Sequence, residues 1–463
     1  MRRKEGRLRV NLVVWMVLLC ICIFTDSSSA ALRGGCSKVN ITPPVGVWLS
    51  GYASRNRPSD DIHDDLYARA LVLDNGSNAV AIISLDLLWV PPQITRQVRA
   101  IVADKTDIPQ QNVLISSTHT HFGPRIFSRT RLGPEEAHDK IDASYISTLV
   151  KKMANSVFIA HKNLKDVSLG AARGRIPEIV YNRRTRTADG SVEMSFTLAP
   201  EVIATRRIGR GPDGSTRVTF TPPPDKPELT FGPIDPEAWI LRVEDSDGRP
   251  VGSLVNFACH AVSGSGYDDW FYSISADFPG QTTQLVEQAE GGICLFTPGT
   301  SGNIVPLKRG RKARVEIGKA IAGEALRRLQ FVPTTNEIEI EAMTTQVTMP
   351  LKQDLSPDRI SDTGEGEKDL TTEFQLLRLG DIYILGLPGE VLVEIGLEIK
   401  KKAGLQKLII IALANDPIGY VCHGEAYDEG GYESGTGTNL AKGAGEIMVE
   451  QALTLISRVK SDK

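Results

Sequence analysis

The fold class follows most directly from the stretch Val113-Leu-Ile-Ser-Ser-Thr-His-Thr-His-Phe-Gly-Pro124. Its apolar first half, bounded by turn residues, is typical of a buried β-strand. His119 and His121 come next, at the carboxyl end of the strand, where open α/β sheets place their ligand sites. Because residues two apart in extended backbone point to the same face, we expect both imidazoles to project together. The pair suits a metal ligand beside a second catalytic imidazole, and two surface histidines are the alternative.

Apolar runs and helical patterns alternate along the rest of the chain. Further runs predict strands over residues 67–73, 80–86, 238–243, 254–259 and 408–414. Apolar residues at helical spacing predict helices over 94–106, 146–164, 311–330, 390–404 and 443–460. No composition shift divides these segments, so we predict an α/β protein with one large domain over residues 31–463.

One long segment lacks this periodicity. Residues 185–235 are rich in Gly, Pro, Thr and Asp and contain Pro222-Pro-Pro224. Such composition favours a long surface excursion over a linker between two cores. Excursions of this kind are often lids or binding loops.

The first thirty residues predict a secretory signal peptide. A basic beginning is followed by an apolar run over residues 12–24 and by small residues at Ser28-Ser-Ala30. A membrane anchor is the alternative, although the run is shorter than the ~20 residues that a span needs. We therefore expect an exported protein, either periplasmic or secreted.

The composition argues against a disordered chain and against a nucleic-acid-binding protein. The chain has 463 residues, 41% hydrophobic and 24% charged, with a formal net charge of -3. It is too apolar to be disordered, and its interspersed charges give no footprint for a nucleic-acid backbone. Four cysteines remain after residue 30, and both one disulfide and buried free thiols fit their wide spacing. They are Cys36, Cys259, Cys294 and Cys422.

Other polar residues also follow predicted strands. His260 ends one strand before a small-residue loop, and Asp277 lies where it could orient a histidine or cap a helix. Glu390 falls at a predicted helix start, as a zinc ligand or as a residue favoured by the helix dipole. Tyr420 follows the strand over 408–414, and Tyr432 lies twelve residues later in a Gly-rich loop.

Taken in order, several motifs resemble the catalytic N-terminal domain of the neutral/alkaline non-lysosomal ceramidases. The motifs are Ile41-Thr-Pro-Pro44, Leu49-Ser-Gly-Tyr52, His63-Asp-Asp-Leu-Tyr-Ala-Arg69, Thr118-His-Thr-His-Phe-Gly-Pro124, Asn256-Phe-Ala-Cys-His260, Ser275-Ala-Asp-Phe-Pro-Gly280, Pro388-Gly-Glu390 and Asn415-Asp-Pro-Ile-Gly-Tyr-Val421. Each is weak singly, but their order is specific. The resemblance covers residues 35–460 and implies mixed β-sheets flanked by helices in a four-layer α-β-β-α arrangement.

The resemblance also implies site residues. The implied Zn²⁺ ligands are His119, His260, Glu390 and Tyr420. The implied catalytic residues are His121 at the scissile group, Arg183 against the substrate, Tyr432, and Ser301 in the loop that corresponds to the family's active-site serine.

The sequence departs from the family in two places. The family's serine loop reads Gly-Asp-Val-Ser-Pro-Asn or a close variant, whereas this chain has Gly299-Thr-Ser-Gly-Asn-Ile-Val-Pro306. Gly302 stands in the serine's column, so either Ser301 substitutes for the serine or its role is absent. The chain also ends before the C-terminal immunoglobulin-like domain of the ceramidases, and we expect that domain to be missing.

These observations predict a zinc-dependent hydrolase of the N-acyl amide bond of ceramide-like lipids, yielding a fatty acid and a sphingoid base. Zinc would lower the pKa of a bound water towards about 7, and backbone N–H groups of residues 299–303 are a weaker candidate oxyanion hole. A lipid substrate implies peripheral membrane contact. Two alternatives stay open: a zinc hydrolase of another amide, ester or sugar derivative, and a non-catalytic binding protein.

Overall fold

A computed structural model describes residues 31–127, 141–221, 229–264, 269–353 and 368–461. The predicted signal peptide, residues 1–30, lies outside the described residues. The strands are, in chain order, β1 (Arg33–Asn40), β2 (Asp61–Ile62), β3 (Tyr67–Asp74), β4 (Ala79–Leu85), β5 (Val113–Ser117), β6 (Lys165–Arg175), β7 (Val180–Asn182), β8 (Arg184–Arg186), β9 (Val192–Met194), β10 (Arg207–Arg210), β11 (Thr216–Thr219), β12 (Thr230–Phe231), β13 (Pro233–Ile234), β14 (Glu237–Asp245), β15 (Pro250–Phe257), β16 (Ser273–Ile274), β17 (Ile293–Pro298), β18 (Ile304–Pro306), β19 (Ile340–Pro350), β20 (Asp369–Leu379), β21 (Ile382–Gly386), β22 (Glu390–Val391), β23 (Leu408–Ile411) and β24 (Tyr420–Val421).

Each of the five predicted helices corresponds to one of the described α-helices. They are α1 (Pro92–Lys105), α2 (Ala143–Lys162), α3 (Pro200–Ile203), α4 (Asp277–Glu290), α5 (Arg311–Leu329), α6 (Val393–Ala403), α7 (Gly424–Glu429) and α8 (Ala444–Ser461). Helix α2 begins after Asp142, whose carboxylate accepts hydrogen bonds from the backbone N–H groups of Ser144 and Tyr145. Helix α6 ends at Ala403, and the next residue, Gly404, adopts a left-handed conformation. None of the described helices combines the length and apolar character needed to cross a membrane.

The largest sheet has eight strands in the order β17-β15-β14-β6-β1-β3-β4-β5. Its central strands pair antiparallel, whereas β4 with β5 and β15 with β17 are parallel pairs. Strands β4 and β5 are buried along almost their whole length, which explains why their sequences are continuous apolar runs rather than alternating ones. The candidate site lies at the carboxyl ends of β5 and β15, which each belong to one of these parallel pairs.

A second sheet of four strands, in the order β19-β20-β21-β23, packs against the first. The core between the two sheets joins residues of both, among them Leu114, Trp239, Leu254, Ile384 and Ile409. Further cores form where helices cover the outer faces: α1 and α2 on β3 to β5, α4 and α5 on β14, β15 and β17, and α6 and α8 on the second sheet. The predicted mixed α/β fold is confirmed, and this packing is compatible with the four-layer arrangement.

The described part of the segment over residues 185–235 contains more regular structure than its composition suggests, whereas Pro222-Pro-Pro224 lies outside the described residues. Strands β8, β9 and β12 form one small sheet, and β10, β11 and β13 form another. Val218, Phe220 and Phe231 of this segment are buried in the core beneath α5. The segment therefore packs onto the main fold beside strand β7.

The cysteines between residues 31 and 461 are buried free thiols in this structure. Of the two interpretations that the sequence left open, the described residues show the free thiols and no disulfide among them.

Candidate metal centre

The candidate site forms where strands β5 and β15 end. His119 and His121 follow β5, and His260 follows β15. The backbone N–H of His121 donates to Ala261 O (3.2 Å), and that of His260 donates to Ile304 O (2.9 Å). Backbone hydrogen bonds thus fix both strand ends against each other and against β18.

The two histidines after β5 do lie together, but for a reason that differs from the predicted one. The strand ends at Ser117, and His119 adopts a left-handed backbone with φ 66 instead of an extended one. Such a backbone is strained for a residue with a side chain and is held by its surroundings. The turn brings Nε2 of His119 within 3.4 Å of Nε2 of His121.

Glu390 and Tyr420 are direct neighbours on two very short strands. They are register partners in the parallel pair β22 and β24. The prediction that Glu390 begins a helix is wrong, because helix α6 starts at Val393. The backbone N–H of Glu390 donates to Gly419 O at 2.8 Å, so the loop before Tyr420 holds the carboxylate in place.

The candidate ligands converge on one point. Nitrogen atoms of His119, His121 and His260 lie within 4.8 Å of one another and could hold a metal ion. Glu390 Oε2 lies 3.2 Å from Nε2 of both His119 and His260. The hydroxyl oxygen of Tyr420 lies 3.4 Å from Nε2 of His260. Three imidazoles, a carboxylate and a phenol oxygen therefore surround one small volume, as the family resemblance implies.

The hydrogen bonds on the far side of the rings test whether these residues fit a cation. Nδ1 of His119 lies 3.0 Å from Leu88 O, and Nδ1 of His260 lies 2.6 Å from Ser301 O. Because a carbonyl oxygen only accepts hydrogen bonds, each Nδ1 carries the ring proton and each Nε2 keeps its lone pair. Buried Glu390 Oε2 has no hydrogen-bond partner among the described residues. Two imidazole lone pairs that face a carboxylate oxygen are an arrangement that a metal ion satisfies.

The protonation states agree with this interpretation. Burial, reinforced by the charge of Arg183, lowers the pKa of His260 to about 4. Burial also lowers the pKa of His121 well below its usual value. Neutral imidazoles are the form that binds metals.

A buried arginine completes the polar centre. The guanidinium of Arg183 donates to Glu433 Oε1 (2.7 Å), to Gly302 O (3.0 Å) and to the hydroxyl oxygen of Tyr420 (3.1 Å). Tyr432 packs its ring edge-on against the ring of Tyr420, with centroids 5.5 Å apart. The structure thus brings Arg183 and Tyr432 to the candidate ligands.

The loop over residues 299–306 contributes through its backbone. The carbonyl of Ser301 accepts the hydrogen bond from His260, and the Ser301 side chain is buried beside it. The N–H groups of Gly299 and Gly302 donate to Phe257 O and Val391 O, so those two donors are already used and do not point to a developing oxyanion. A Cβ atom at Gly302 would lie 2.7 Å from Glu390 O, which leaves no room for a serine there.

Several residues at the site were not singled out from the sequence. Arg55 donates to the carbonyl of His121 at 2.6 Å, and the ring of Tyr52 packs against that imidazole with centroids 5.1 Å apart. A Cβ at Gly51 would overlap the His121 ring. The motif Leu49-Ser-Gly-Tyr52 was the available signal for Gly51 and Tyr52. Glu433 carried no such signal, because its role comes from contacts with residues about 250 positions away.

Asp277, a candidate partner for a histidine, has a different role. Its carboxylate accepts hydrogen bonds from the backbone N–H of Ser263 (2.9 Å), from the Ser263 hydroxyl and from the N–H of Phe278. It therefore ties the loop after His260 to the first turn of α4.

Comparison with known proteins finds similarity to the family that the motifs resemble. Residues 33–189 match the family model described as neutral/alkaline non-lysosomal ceramidase, N-terminal. Neutral ceramidase B of Dictyostelium discoideum is 23% identical over 281 residues, which cover 58% of this chain and 34% of that protein. Neutral ceramidase 3 of Arabidopsis thaliana is 27% identical over 187 residues, covering 40% of this chain and 25% of that protein. The chain thus spans well under half the length of these relatives.

Solved structures match over a larger share of the chain. The crystal structure of neutral ceramidase from Pseudomonas aeruginosa superposes with a TM-score of 0.70 at 18% identity, covering 93% of this chain and 75% of that one. A ceramidase complexed with C2 gives a TM-score of 0.71 at 18% identity, covering 94% and 76%. At this identity the match establishes the fold. The chain therefore shares the fold of these ceramidases, and its residues 33–189 are similar to the neutral/alkaline non-lysosomal ceramidase family.

Proposed function

We propose that this protein is a zinc-dependent amidohydrolase that splits the N-acyl amide bond of ceramide-like lipids into a fatty acid and a sphingoid base. One observation carries the proposal. Ring nitrogens of His119, His121 and His260 and the carboxylate of Glu390 meet at one point, and Glu390 Oε2 has no hydrogen-bond partner there among the described residues. The relatives named as neutral ceramidases supply the substrate class.

Zinc fits this donor set best. Imidazole nitrogen with carboxylate oxygen is a common catalytic combination for Zn²⁺. His119, His260, Glu390 and the Tyr420 hydroxyl would hold the ion. When bound, zinc would polarise the amide carbonyl and acidify a water molecule.

The chain's own residues would then orient the substrate and move the proton. His121 would take a proton and pass it to the leaving amine, because its Nε2 lies 3.4 Å from Nε2 of His119 in the candidate centre. Arg183, held by Glu433, places a positive charge where negative charge develops on the carbonyl oxygen. We further propose, from the N-terminal pattern, that the protein is exported.

The decisive experiment measures turnover and metal content together. The purified protein, with and without chelation, is given an N-acylsphingosine, and release of the fatty acid is followed. We expect chelation to abolish turnover and added Zn²⁺ to restore it. His119→Ala should lose both the bound metal and activity, by at least about a hundredfold. His161→Ala, which removes a histidine of helix α2, is the matched control and should keep both.

The other outcomes discriminate between alternatives. Full zinc content in the His119→Ala variant would overturn the metal assignment. If the protein binds one zinc but hydrolyses no N-acylsphingosine, the metal site is supported and the ceramide substrate is rejected. Other amides, esters and sugar derivatives would then be tested as substrates.

A further inference from the structure

We infer that Phe196 is a specificity-determining residue, and that with Tyr432 it forms a surface over which an apolar chain of the substrate lies. We call this pair of side chains the aromatic ledge. The inference rests on the proposed function, since it assigns a part of the substrate to the same site.

The ledge is unusual in its exposure. Phe196 is 45% exposed and Tyr432 is 37% exposed. The two rings pack edge to face, with centroids 6.1 Å apart and planes inclined by 69°. Two large aromatic rings that touch each other yet remain open to solvent form an apolar patch, and such patches commonly mark binding surfaces.

The ledge is continuous with the metal centre. The Tyr432 ring contacts the ring of Tyr420, whose hydroxyl reaches both Arg183 and His260. The guanidinium carbon of Arg183 lies 5.4 Å from the centre of the Phe196 ring and 6.0 Å from that of Tyr432. A molecule with its reacting group at the histidines would therefore extend over the ledge.

The backbone holds Phe196 at this position. The N–H of Ser195 donates to Arg183 O (2.9 Å), and the hydroxyl of Tyr181 donates to Ser195 O (2.8 Å). Arg309 donates to Phe196 O at 2.8 Å. The segment is thus tied to the same strands that position Arg183, and the exposed ring is preorganised for a ligand.

The chemistry of the ledge favours a hydrocarbon chain. The Phe196 side chain has no polar atom. Its contribution to the binding free energy is therefore set by the apolar area that a ligand removes from water. This contribution increases with each methylene group of the ligand that contacts the ring, until the ring is fully covered. A polar substituent would gain nothing from Phe196.

The test uses Phe196→Ala and substrates that differ in their chains. N-acetylsphingosine, N-dodecanoylsphingosine and N-dodecanoylethanolamine vary the acyl and the sphingoid chain separately. We expect kcat/KM to fall about tenfold for a substrate whose chain reaches the ledge, mainly through KM. A loss that grows with acyl length assigns the acyl chain to the ledge, and a loss confined to the sphingosine amides assigns the sphingoid chain.

Two variants control this experiment. Phe196→Leu keeps an apolar side chain and should recover most of the loss. Phe331→Ala removes a phenylalanine that is 83% exposed at the end of helix α5, and should leave kcat/KM unchanged. An equal loss for all three substrates, or no loss at all, would overturn the inference.

A binding measurement distinguishes an error in the inference about the aromatic ledge from an error in the proposed function. If the wild-type protein hydrolyses none of these amides, the proposed activity fails. Binding of a fluorescent dodecanoate to the zinc-loaded protein then tests the ledge alone. Binding about tenfold weaker in Phe196→Ala than in Phe331→Ala supports the ledge, whereas equal binding, or displacement by sugars instead of fatty acids, contradicts it.

Discussion

At the scale of single residues, Gly302 shows how closely the candidate centre is packed. Its N–H donates to Val391 O, and its Cα faces the backbone carbonyls of Glu390 and Val391. A β-carbon there would lie 2.7 Å and 2.9 Å from those two oxygens. Placing the family's serine in this column would therefore push away the strand that carries the Glu390 carboxylate.

We expect Gly302→Ser to reduce bound zinc and activity rather than to improve catalysis. Overpacking of this kind typically costs ~1–3 kcal/mol of stability. Zinc content, turnover and thermal midpoint would be compared with those of Gly323→Ser, a helix position where an added Cβ meets nothing within 4 Å. A Gly302→Ser protein with full zinc and raised turnover would show that the loop can move.

The sequence located the individual candidate ligands better than it explained their positions. The proximity of His119 and His121 was predicted from the alternation of an extended strand, whereas a left-handed turn at His119 produces it. Backbone angles of this kind have no periodic signature, so they could not be predicted. Phe196 and Glu433 were missed because their importance comes from neighbours that are distant in sequence.

At the scale of elements, buried ion pairs join the β7–β8 segment to the segment after α7. Glu433 is fully buried and pairs with Arg183 at 2.7 Å and with Arg184 at 3.0 Å. Removing one charge from such a network leaves the other buried and unpaired, which costs more than the network contributes when complete. The network therefore positions Arg183 and the adjacent Tyr432.

We expect Glu433→Gln to lower the free energy of unfolding by about 3 kcal/mol and to reduce kcat through the displaced Arg183. Urea unfolding and steady-state kinetics would measure the two effects. Glu316→Gln removes a carboxylate from an exposed pair with Lys308 and should cost less than about 1 kcal/mol. Equal losses in the two variants would rule out a special role for Glu433.

The longer elements were predictable and the shortest were not. The helices predicted over residues 94–106, 146–164 and 311–330 were each found within three residues of the predicted bounds, because a buried stripe imposes a helical period. Strands β22 and β24 contain two residues each, too few for any period, although they carry Glu390 and Tyr420. Candidate ligands on such short strands can be identified from motifs or from the structure, but not from periodicity.

At the scale of the whole molecule, His63 links the N-terminal segment to helix α5. Its Nε2 accepts a hydrogen bond from Arg314 at 2.6 Å, and Arg314 also pairs with Asp64. Burial, together with the charge of Arg314, lowers the pKa of His63 below its usual value. The folded protein therefore holds this imidazole neutral at pH values where the unfolded chain already binds a proton.

Stability should consequently fall as the pH drops from about 6.5, the pKa of an unfolded histidine, towards the lower pKa of the folded state. Because the unfolded chain binds more protons in this window, the free energy of unfolding rises with pH there. Urea unfolding at a series of pH values would measure the slope. His63→Asn should give a shallower slope than the wild type, and identical slopes would exclude this linkage.

The four buried thiols have a consequence for following how the molecule opens. Cys36 belongs to the core between the sheets, Cys259 and Cys294 to the core beneath α4 and α5, and Cys422 to the small cluster around Tyr420. Burial raises the pKa of Cys36 and of Cys294 to about 12, so neither reacts as a thiolate in the folded state. Each cysteine can be alkylated only when the core around it opens. The order in which a maleimide labels the cysteines would therefore record the order in which these cores open.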